Sequence, residues 1–297
     1  MELRQLVYFV KVARKQHVTH AAEEMHVAQS AVSRQIHQLE AELGVQLFVQ
    51  KGRKLHLTPV GKLFLTRIEE VLNTLEWAVQ EVRESQDPES GEIRLAFPHS
   101  LGVHLVPAAA GAFRKNHPKV KFRLKQGKYN SLINMVMNGE VDLALISPFP
   151  AGHDHVEGEV VLTEELYAIV PPNHPLSGCE SLRLEQLKDE TFVMFSDGYS
   201  LHTIVREACM ASGFVPQMSF EGEETDTIRG LVAAGMGVSL LPEMALRYCS
   251  SPLMPVKIRI SEPKVTRTIG LIRRKNERLP QVAERFRTFL IEHIGKI

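Results

Sequence analysis

Three cysteines in 297 residues, no net charge and no long apolar run set the first limits on this chain. Cys179, Cys209 and Cys249 are odd in number, far apart and free of any C-x-x-C pairing. That excludes a disulfide framework or a cysteine zinc site and leaves them as small core residues. No apolar stretch approaches the roughly 18 residues of a membrane span. The first dozen residues, MELRQLVYFVKV, carry charges inside any secretory core, so no membrane association and a cytoplasmic location are expected. Lys plus Arg number 35 and so do Asp plus Glu, which rules out a uniformly basic nucleic-acid binder.

Enzyme signatures are equally scarce. Neither G-x-S-x-G nor a P-loop occurs. AAGMGVS (233–239) is too loose for a dinucleotide fingerprint, lacking a preceding strand and a placed acidic residue. HDH (153–155) offers a metal two histidines with no third ligand set by the pattern and reads as a surface loop. No catalytic residue, cofactor or metal is therefore expected.

What is present is unevenly distributed. Residues 1–67 carry Arg4, Lys11, Arg14, Lys15, Arg34, Lys51, Arg53, Lys54, Lys62 and Arg67 against Glu2, Glu23, Glu24, Glu40 and Glu42, a balance of +5. Residues 68–89 carry Glu69, Glu70, Glu76, Glu81, Glu84, Asp87 and Glu89 against Arg83 alone, a balance of −6. A small basic unit followed by an acidic spacer suits a module that meets phosphates.

Within the basic unit, Leu3, Leu6, Val7, Val10 and Ala13 recur at helical steps. Thr19 suits the N-cap of a short second helix, HAAEEM, whose Ala21 and Ala22 allow close packing. A third helix is expected from Gln29 to Leu43, ending at Gly44. At about 100° per residue, Val32, Ile36, Leu39 and Leu43 share an arc of roughly 60° that should be buried. Gln29, Ser30, Ser33, Arg34 and His37 occupy a separate arc. Taken alone such a face is an ordinary solvated one. After a short helix and tight turn, however, it has the chemistry of major-groove reading: Gln bridges an adenine edge, Arg forks onto guanine, and short hydroxyls permit close approach.

Leu47–Val49 and Lys54–Leu57 read as short strands around Gly52, with Leu55 and Leu57 facing inward. The turn's Lys51, Arg53 and Lys54 would hold the DNA backbone or enter the minor groove. Thr58-Pro59 opens another helix, running to about Ser85. Along it Phe64, Ile68, Val71, Leu75, Ala78 and Val82 form a heptad seam, which a second copy of the same helix would bury. QDPESG (86–91) marks a boundary.

Residues 1–61 resemble the N-terminal module of LysR-type transcriptional regulators, most specifically in AAEEMHVAQSAVSRQIHQLEAELGVQLF and LTPVG. The resemblance extends over the whole chain in length and order and is looser beyond residue 90. It departs at Ala28, where a capping Ser or Thr would better fix the first turn of the reading helix. It implies a regulator that binds double-stranded promoter DNA as a homo-oligomer, usually a tetramer, with RNA polymerase as a further contact. It also implies a small-molecule effector domain, and its nearest members suggest 2-oxoglutarate or glutamate.

The remaining residues yield two series of strands and helices. The first comprises strands at 92–97, 119–127 and 141–146 with helices at 100–116 and 131–139. The second comprises strands at 191–195, 216–221 and 237–241 with helices at 200–212 and 225–234. Alternation predicts parallel sheets covered on both faces. RTIGLIRRKN (267–276) and a helix at 281–294 would return to the first lobe, with crossings near 162–166 and 264–268. The expected fold class is α+β and multi-domain: a winged helix-turn-helix over 1–58, a dimerising linker helix over 59–89, and a two-lobed α/β domain over 90–297 like periplasmic binding proteins. Lobe I would be 90–163 with 268–297, and lobe II 164–267.

Ligands of open α/β sheets sit at strand C-termini. That selects Ser100, Gln126, Lys128 and Ser147 in the first lobe and Ser196, Ser200 and Glu223 in the second. Ser100 would cap its helix and offer a hydroxyl to an anion, with the resemblance supporting this position best, and Lys128 would pair with the carboxylate of an organic acid. An adaptor whose helix-turn-helix contacts protein is the alternative, and salt separates the two.

Overall fold

The computed structural model describes residues 1–51, 54–87, 90–247 and 254–294, and the chain divides into two compact units, Met1–Gln80 and Glu81–Ile297. The first contains α1 (Leu3–Lys15), α2 (Val18–Glu24), α3 (Gln29–Leu43), a hairpin of β1 (Phe48–Lys51) and β2 (Lys54–Leu57), and the body of α4 (Pro59–Gln86).

Helix α1 buries Leu6, Phe9, Val10, Val12 and Ala13 but leaves Leu3 half exposed. Its buried stripe is turned toward Phe9, whose ring lies 5.4 Å from that of Phe48 and 5.2 Å from that of Phe64. Helix α2 begins at Val18 with an extended His17 as N-cap, so Thr19 lies inside the helix and is not its cap. Ala21 and Ala22 are buried, and the small side chains let α1 and α3 close on α2. The turn into α3 uses His26 in the left-handed region, φ 55°, while the Val27 N–H donates to Ala22 O at 3.0 Å.

Helix α3 buries Val32, Ile36 and Leu39 and stops at Gly44, φ 67°, a conformation that costs a glycine little. Leu43 departs from the expected stripe, because the last turn overruns the core and leaves it 37% exposed. Glu40 turns back instead: its Oε1 accepts from the Leu47 and Phe48 amides at 2.7 and 3.1 Å, tying α3 to the hairpin. The hairpin pairs Phe48 with Leu57 through Lys51 with Lys54. Thr58 caps α4 as its sequence predicts, Oγ1 accepting from Gly61 N at 2.9 Å. Gly61 itself admits no side chain, since a Cβ would overlap the Leu47 carbonyl.

Along α4 the seam divides. Ile68 and the half-buried Phe64, with Leu65 and Leu72, pack into the core of the first unit. Farther on, Val71, Leu75 and Val82 are exposed by 52%, 42% and 61%.

The second unit contains β3 (Gly91–Phe97), α5 (His99–Gly102), α6 (Leu105–Asn116), β4 (Val120–Gln126), α7 (Tyr129–Met137), β5 (Leu143–Ile146), β6 (Val156–Val170) and β7 (Ser181–Arg183). There follow β8 (Thr191–Phe195), α8 (Ser200–Ala211), β9 (Gln217–Gly222), α9 (Thr225–Ala233), β10 (Ser239–Pro242), α10 (Met244–Arg247), β11 (Val256–Glu262), β12 (Thr266–Arg274) and α11 (Gln281–His293). The helix expected over 100–116 is two helices. The chain resets at Val103-His104, after which Leu105, Val106, Ala109 and Phe113 face the core.

Two cores make two lobes. In the first, α6 and α11 cover one face of the sheet β4-β3-β5-β12-β6, and α7 covers the other. In the second, α8 and α9 pack on strands that include β8, β10 and β11. Strand β6 serves both lobes: Val156–Glu165 pair with β12, whereas Leu166–Val170 pair with β10 and β11. The sheets are mixed rather than parallel. β3 runs parallel to β4 and β5, and β8 to β9, but β12 is antiparallel to β5 and β6, as are β10 and β11 to β6. The strands that carry the chain back beside β6 run opposite to it, so the sheet alternates direction there.

Of the cysteines, Cys209 is buried as expected but Cys179 is exposed, in the loop before β7; Cys249 lies outside the described residues. No helix among the described residues is long and apolar enough to cross a membrane.

Candidate DNA-reading face and effector cleft

The reading face stands on α3 because its opposite stripe is buried. Gln29, Ser30, Arg34 and His37 are exposed and Ser33 is half-buried. Gln29 Nε2 donates to Ser33 Oγ at 3.1 Å, which holds two members of the face together. His37 Nδ1 lies 3.5 Å from Glu40 Oε2, the carboxylate whose other oxygen anchors the hairpin. Ala28 is the extended N-cap of α3 and supplies no side-chain hydrogen bond, so no capping side chain competes for the first amides of the helix. Of the turn cations, Arg53 lies outside the described residues, and Lys51 and Lys54 are paired through their backbones in the hairpin.

In the second unit, the residues expected at strand ends lie at or just beyond the ends of β3, β4, β5, β8 and β9. Lys128, the extended N-cap of α7, reaches lobe II: its Nζ lies 4.5 Å from the centre of the Tyr199 ring and 3.7 Å from Glu223 Oε1. Tyr199, the N-cap of α8, was not among the expected site residues. Its hydroxyl is raised above the usual tyrosine pKa, first by burial and then by its hydrogen bond to Glu223. Ser196 donates from N and Oγ to Gly222 O at 2.9 and 3.4 Å, joining the ends of β8 and β9. Ser200 begins α8 rather than capping it. Helices α7, α8 and α9 all start at this cleft without a side-chain cap, so their positive ends and the Lys128 ammonium present donors to one region.

Ser100 does not cap α5; Pro98 occupies that position. The Ser100 hydroxyl instead accepts from Arg267 Nη1 at 2.8 Å. Arg267 is buried and its Nε donates to Glu164 Oε1 at 2.7 Å, with Nη2 standing 2.6 Å from the same oxygen. Burial lowers the arginine pKa and the Glu164 carboxylate opposes that shift. Glu164 Oε2 accepts from the Met244 amide at 3.1 Å. Gln126 lies against Gly102, two residues from Ser100: a Cβ on Gly102 would approach Gln126 Nε2 to 2.8 Å. Ser147 is buried at the end of β5, and its hydroxyl has no hydrogen-bond partner among the described residues. A cavity of about 620 Å³ opens beside the crossing strands, lined by His104, Leu105, Leu162, Glu164 and Met244 among others; none of the seven strand-end residues lines it.

Sequence reasoning missed Arg267, Glu164 and Tyr199. The first two read as ordinary alternating charges of the stretches TEE and TRT. Only pairing of β6 with β12 brings them together. Tyr199 carried a local signal, since it directly precedes a helix at a selected strand end. No group of three or more His, Cys, Asp or Glu stands where it could hold a metal ion among the described residues.

A helix-turn-helix with a hairpin wing, followed by a two-lobed α/β domain with a donor-lined cleft, defines a ligand-responsive DNA-binding regulator. The chain belongs to the LysR family of transcriptional regulators. Residues 3–62 match the bacterial regulatory helix-turn-helix model of the lysR family, and residues 86–295 match the LysR substrate binding domain. These are regulators and not enzymes. The transcriptional dual regulator GltC of Bacillus subtilis (strain 168) is 43% identical over 297 residues, covering 100% of this chain and 99% of its own. The segments AFPHSLG (96–102), KQGKYNSL (125–132) and FEGEETDTIRGLVAAGMGVSLLPE (220–243) resemble that protein, the glutamate synthase operon regulator of bacilli. Full-length CbnR complexed with its target DNA shares the fold, with a TM-score of 0.74 at 24% identity over 100% of this chain and 99% of that one. The effector binding domain of QuiR in complex with shikimate gives 0.63 at 27% identity, covering 70% of this chain and 98% of that one.

Proposed function

We propose that this regulator binds promoter DNA as a homo-oligomer, a tetramer by analogy with its family, and that an organic acid held between its lobes changes the geometry of that binding. The domain assignment is 1–58 for DNA, 59–89 for pairing of chains, and 90–297 for the effector, with lobe I formed by 90–163 and 268–297 and lobe II by 164–267. Gln29, Ser30, Ser33, Arg34 and His37 enter the major groove, while Lys51, Arg53 and Lys54 hold the backbone. The observation that carries this reading is the donor and acceptor face of α3 opposite the buried Val32, Ile36 and Leu39. The setting is cytoplasmic, where such a protein also meets RNA polymerase.

The effector site comprises Ser100, Gln126, Lys128, Ser147, Ser196, Ser200 and Glu223. Its excess of donors favours an anion, and the likeness to GltC makes 2-oxoglutarate and glutamate the first acids to test. The Lys128–Glu223 contact supports a closing motion, because exposed pairs of this kind contribute only about 0–1 kcal/mol and a ligand carboxylate can replace one partner.

Footprinting on the protein's own upstream DNA and neighbouring promoters, at two salt concentrations, tests the reading. Two or more protected patches spaced by whole helical turns are expected, with affinity falling by roughly 0.9 log units per phosphate contact for each log unit of salt. Absence of salt-sensitive protection on every fragment would make 29–37 a protein-contact surface and favour an adaptor.

A further inference from the structure

A guanidinium has donors and no acceptor, so the direction of the contact between Arg267 and Ser100 is not a choice. Arg267 Nη1 donates and Ser100 Oγ accepts, at 2.8 Å. The hydroxyl carries a single proton, which therefore points elsewhere, and among the described residues no acceptor receives it. The arginine cannot turn away. It is buried, and Glu164, also buried, grips Nε at 2.7 Å while its other oxygen accepts the Met244 amide at 3.1 Å. Arg267 and Glu164 stand on the two strands that join the lobes and pair side by side there, Arg267 opposite Glu164. One lone pair of the serine is consequently taken by a fixed charge where the lobes join, and its proton is left to donate.

We propose that Arg267, oriented by Glu164, is a positioning residue that takes one lone pair of Ser100 and leaves its proton for the effector, and so favours ligands presenting a carboxylate or other strong acceptor at that point. This rests on the placement of the effector between the lobes. It goes further in assigning specificity to two buried residues of the paired strands that join the lobes. With the arginine in place a carboxylate satisfies the serine proton, whereas a ligand donor reaches only the remaining lone pair and leaves that proton without an acceptor in a half-buried site. Without the arginine the hydroxyl is free to turn, and would tolerate an amide N–H or a hydroxyl as readily as a carboxylate.

The test is calorimetric titration of the full-length protein with 2-oxoglutarate and glutamate as acids, and with glutamine and isoglutamine as amides that cover both ends of glutamate. The natural chain is compared with two variants that should abolish the preference, Ser100→Ala and Arg267→Gln combined with Glu164→Gln, and with one that should keep it, Ser100→Thr. The double change removes both charges together, so no buried charge is left alone, and the side-chain amide replacing the guanidinium can accept as well as donate. The natural chain is expected to prefer an acid over its amide by roughly ten- to a hundredfold, the range for a hydrogen bond to a charged group. Both variants should lose most of that preference, and the conservative Ser100→Thr should keep it. A purely structural role for the pair would weaken acid and amide alike and leave their ratio unchanged, which overturns the proposal. Should the double variant fail to fold, Ser100→Ala decides alone: an unchanged ratio there is equally fatal. Acid binding that persists in every variant with its preference intact sinks the role of Arg267 but spares the organic-acid reading. No acid binding to the natural chain refutes both.

Discussion

Arg34 and Arg267 show how one residue type serves two ends according to burial. Arg34 is exposed on α3, where the proposed reading has its fork meet a guanine edge. Arg34→Ala is expected to cost about 1–3 kcal/mol on a specific site and little on random DNA; equal losses on both, read by competition binding, would reassign it to the backbone. Arg267 is sealed between strands, where removing it alone would leave Glu164 buried without its counter-charge, a loss of about 3–5 kcal/mol. The cysteines divide in the same way. Burial pushes the Cys209 thiol up to about 12, so at neutral pH it stays protonated and shielded, whereas Cys179 is exposed. Alkylation of the folded protein followed by peptide mapping should therefore modify Cys179 and spare Cys209. Modification of Cys209 at a comparable rate would contradict the burial.

At the scale of elements, α4 has two roles along one seam. Its first turns complete the core of the DNA-binding unit through Phe64 and Ile68. Beyond them Val71, Leu75 and Val82 keep the heptad step while facing outward. An apolar stripe of that length is costly to leave in water, which is the reason to expect a second copy against it. Leu75→Asp should dissociate the oligomer in sedimentation velocity while leaving the fold intact, since Leu75 lies outside the core of its own chain. Intact oligomers would move the interface elsewhere. Strand β6 is the corresponding element of the effector domain: ten residues belong to one lobe's sheet and five to the other's, Val156–Glu165 and Leu166–Val170. A change in the angle between lobes would bend this strand near Glu165-Leu166, where its partner changes from β12 to β10 and β11.

For the whole molecule, the quantity proposed to be regulated is the placement of reading helices on DNA. The effector's task is to shift a population of lobe arrangements, so its differential affinity for closed over open lobes sets the largest response available. Lys128 stands opposite Tyr199 and Glu223, so the proposed closure would be felt at that contact. Small-angle scattering of the full-length protein should change on saturation with an acid that calorimetry shows to bind. Superimposable profiles would mean that occupancy is signalled without rearrangement of the lobes.

Local chemistry was enough to read the DNA-binding unit from its residues: the 3.6-residue stripe of α3, Gly44 beyond its end, the Thr58-Pro59 start of α4 and a projecting polar face all depend on neighbours a few positions away. So did the alternation of strands and helices and the set of strand ends. Where those local rules met long-range packing, they gave way. Leu43 fell outside a core that ended one turn earlier, Thr19 lost its cap to a helix starting sooner, and Ser100 proved to be an arginine's acceptor rather than a cap. The antiparallel return of β12 beside β6 is a contact between residues about a hundred positions apart, and nothing in either stretch announces it. Only the tertiary structure could bring Arg267, Glu164 and Ser100 together, because a buried charge is decided by the partners that surround it and not by its sequence neighbours.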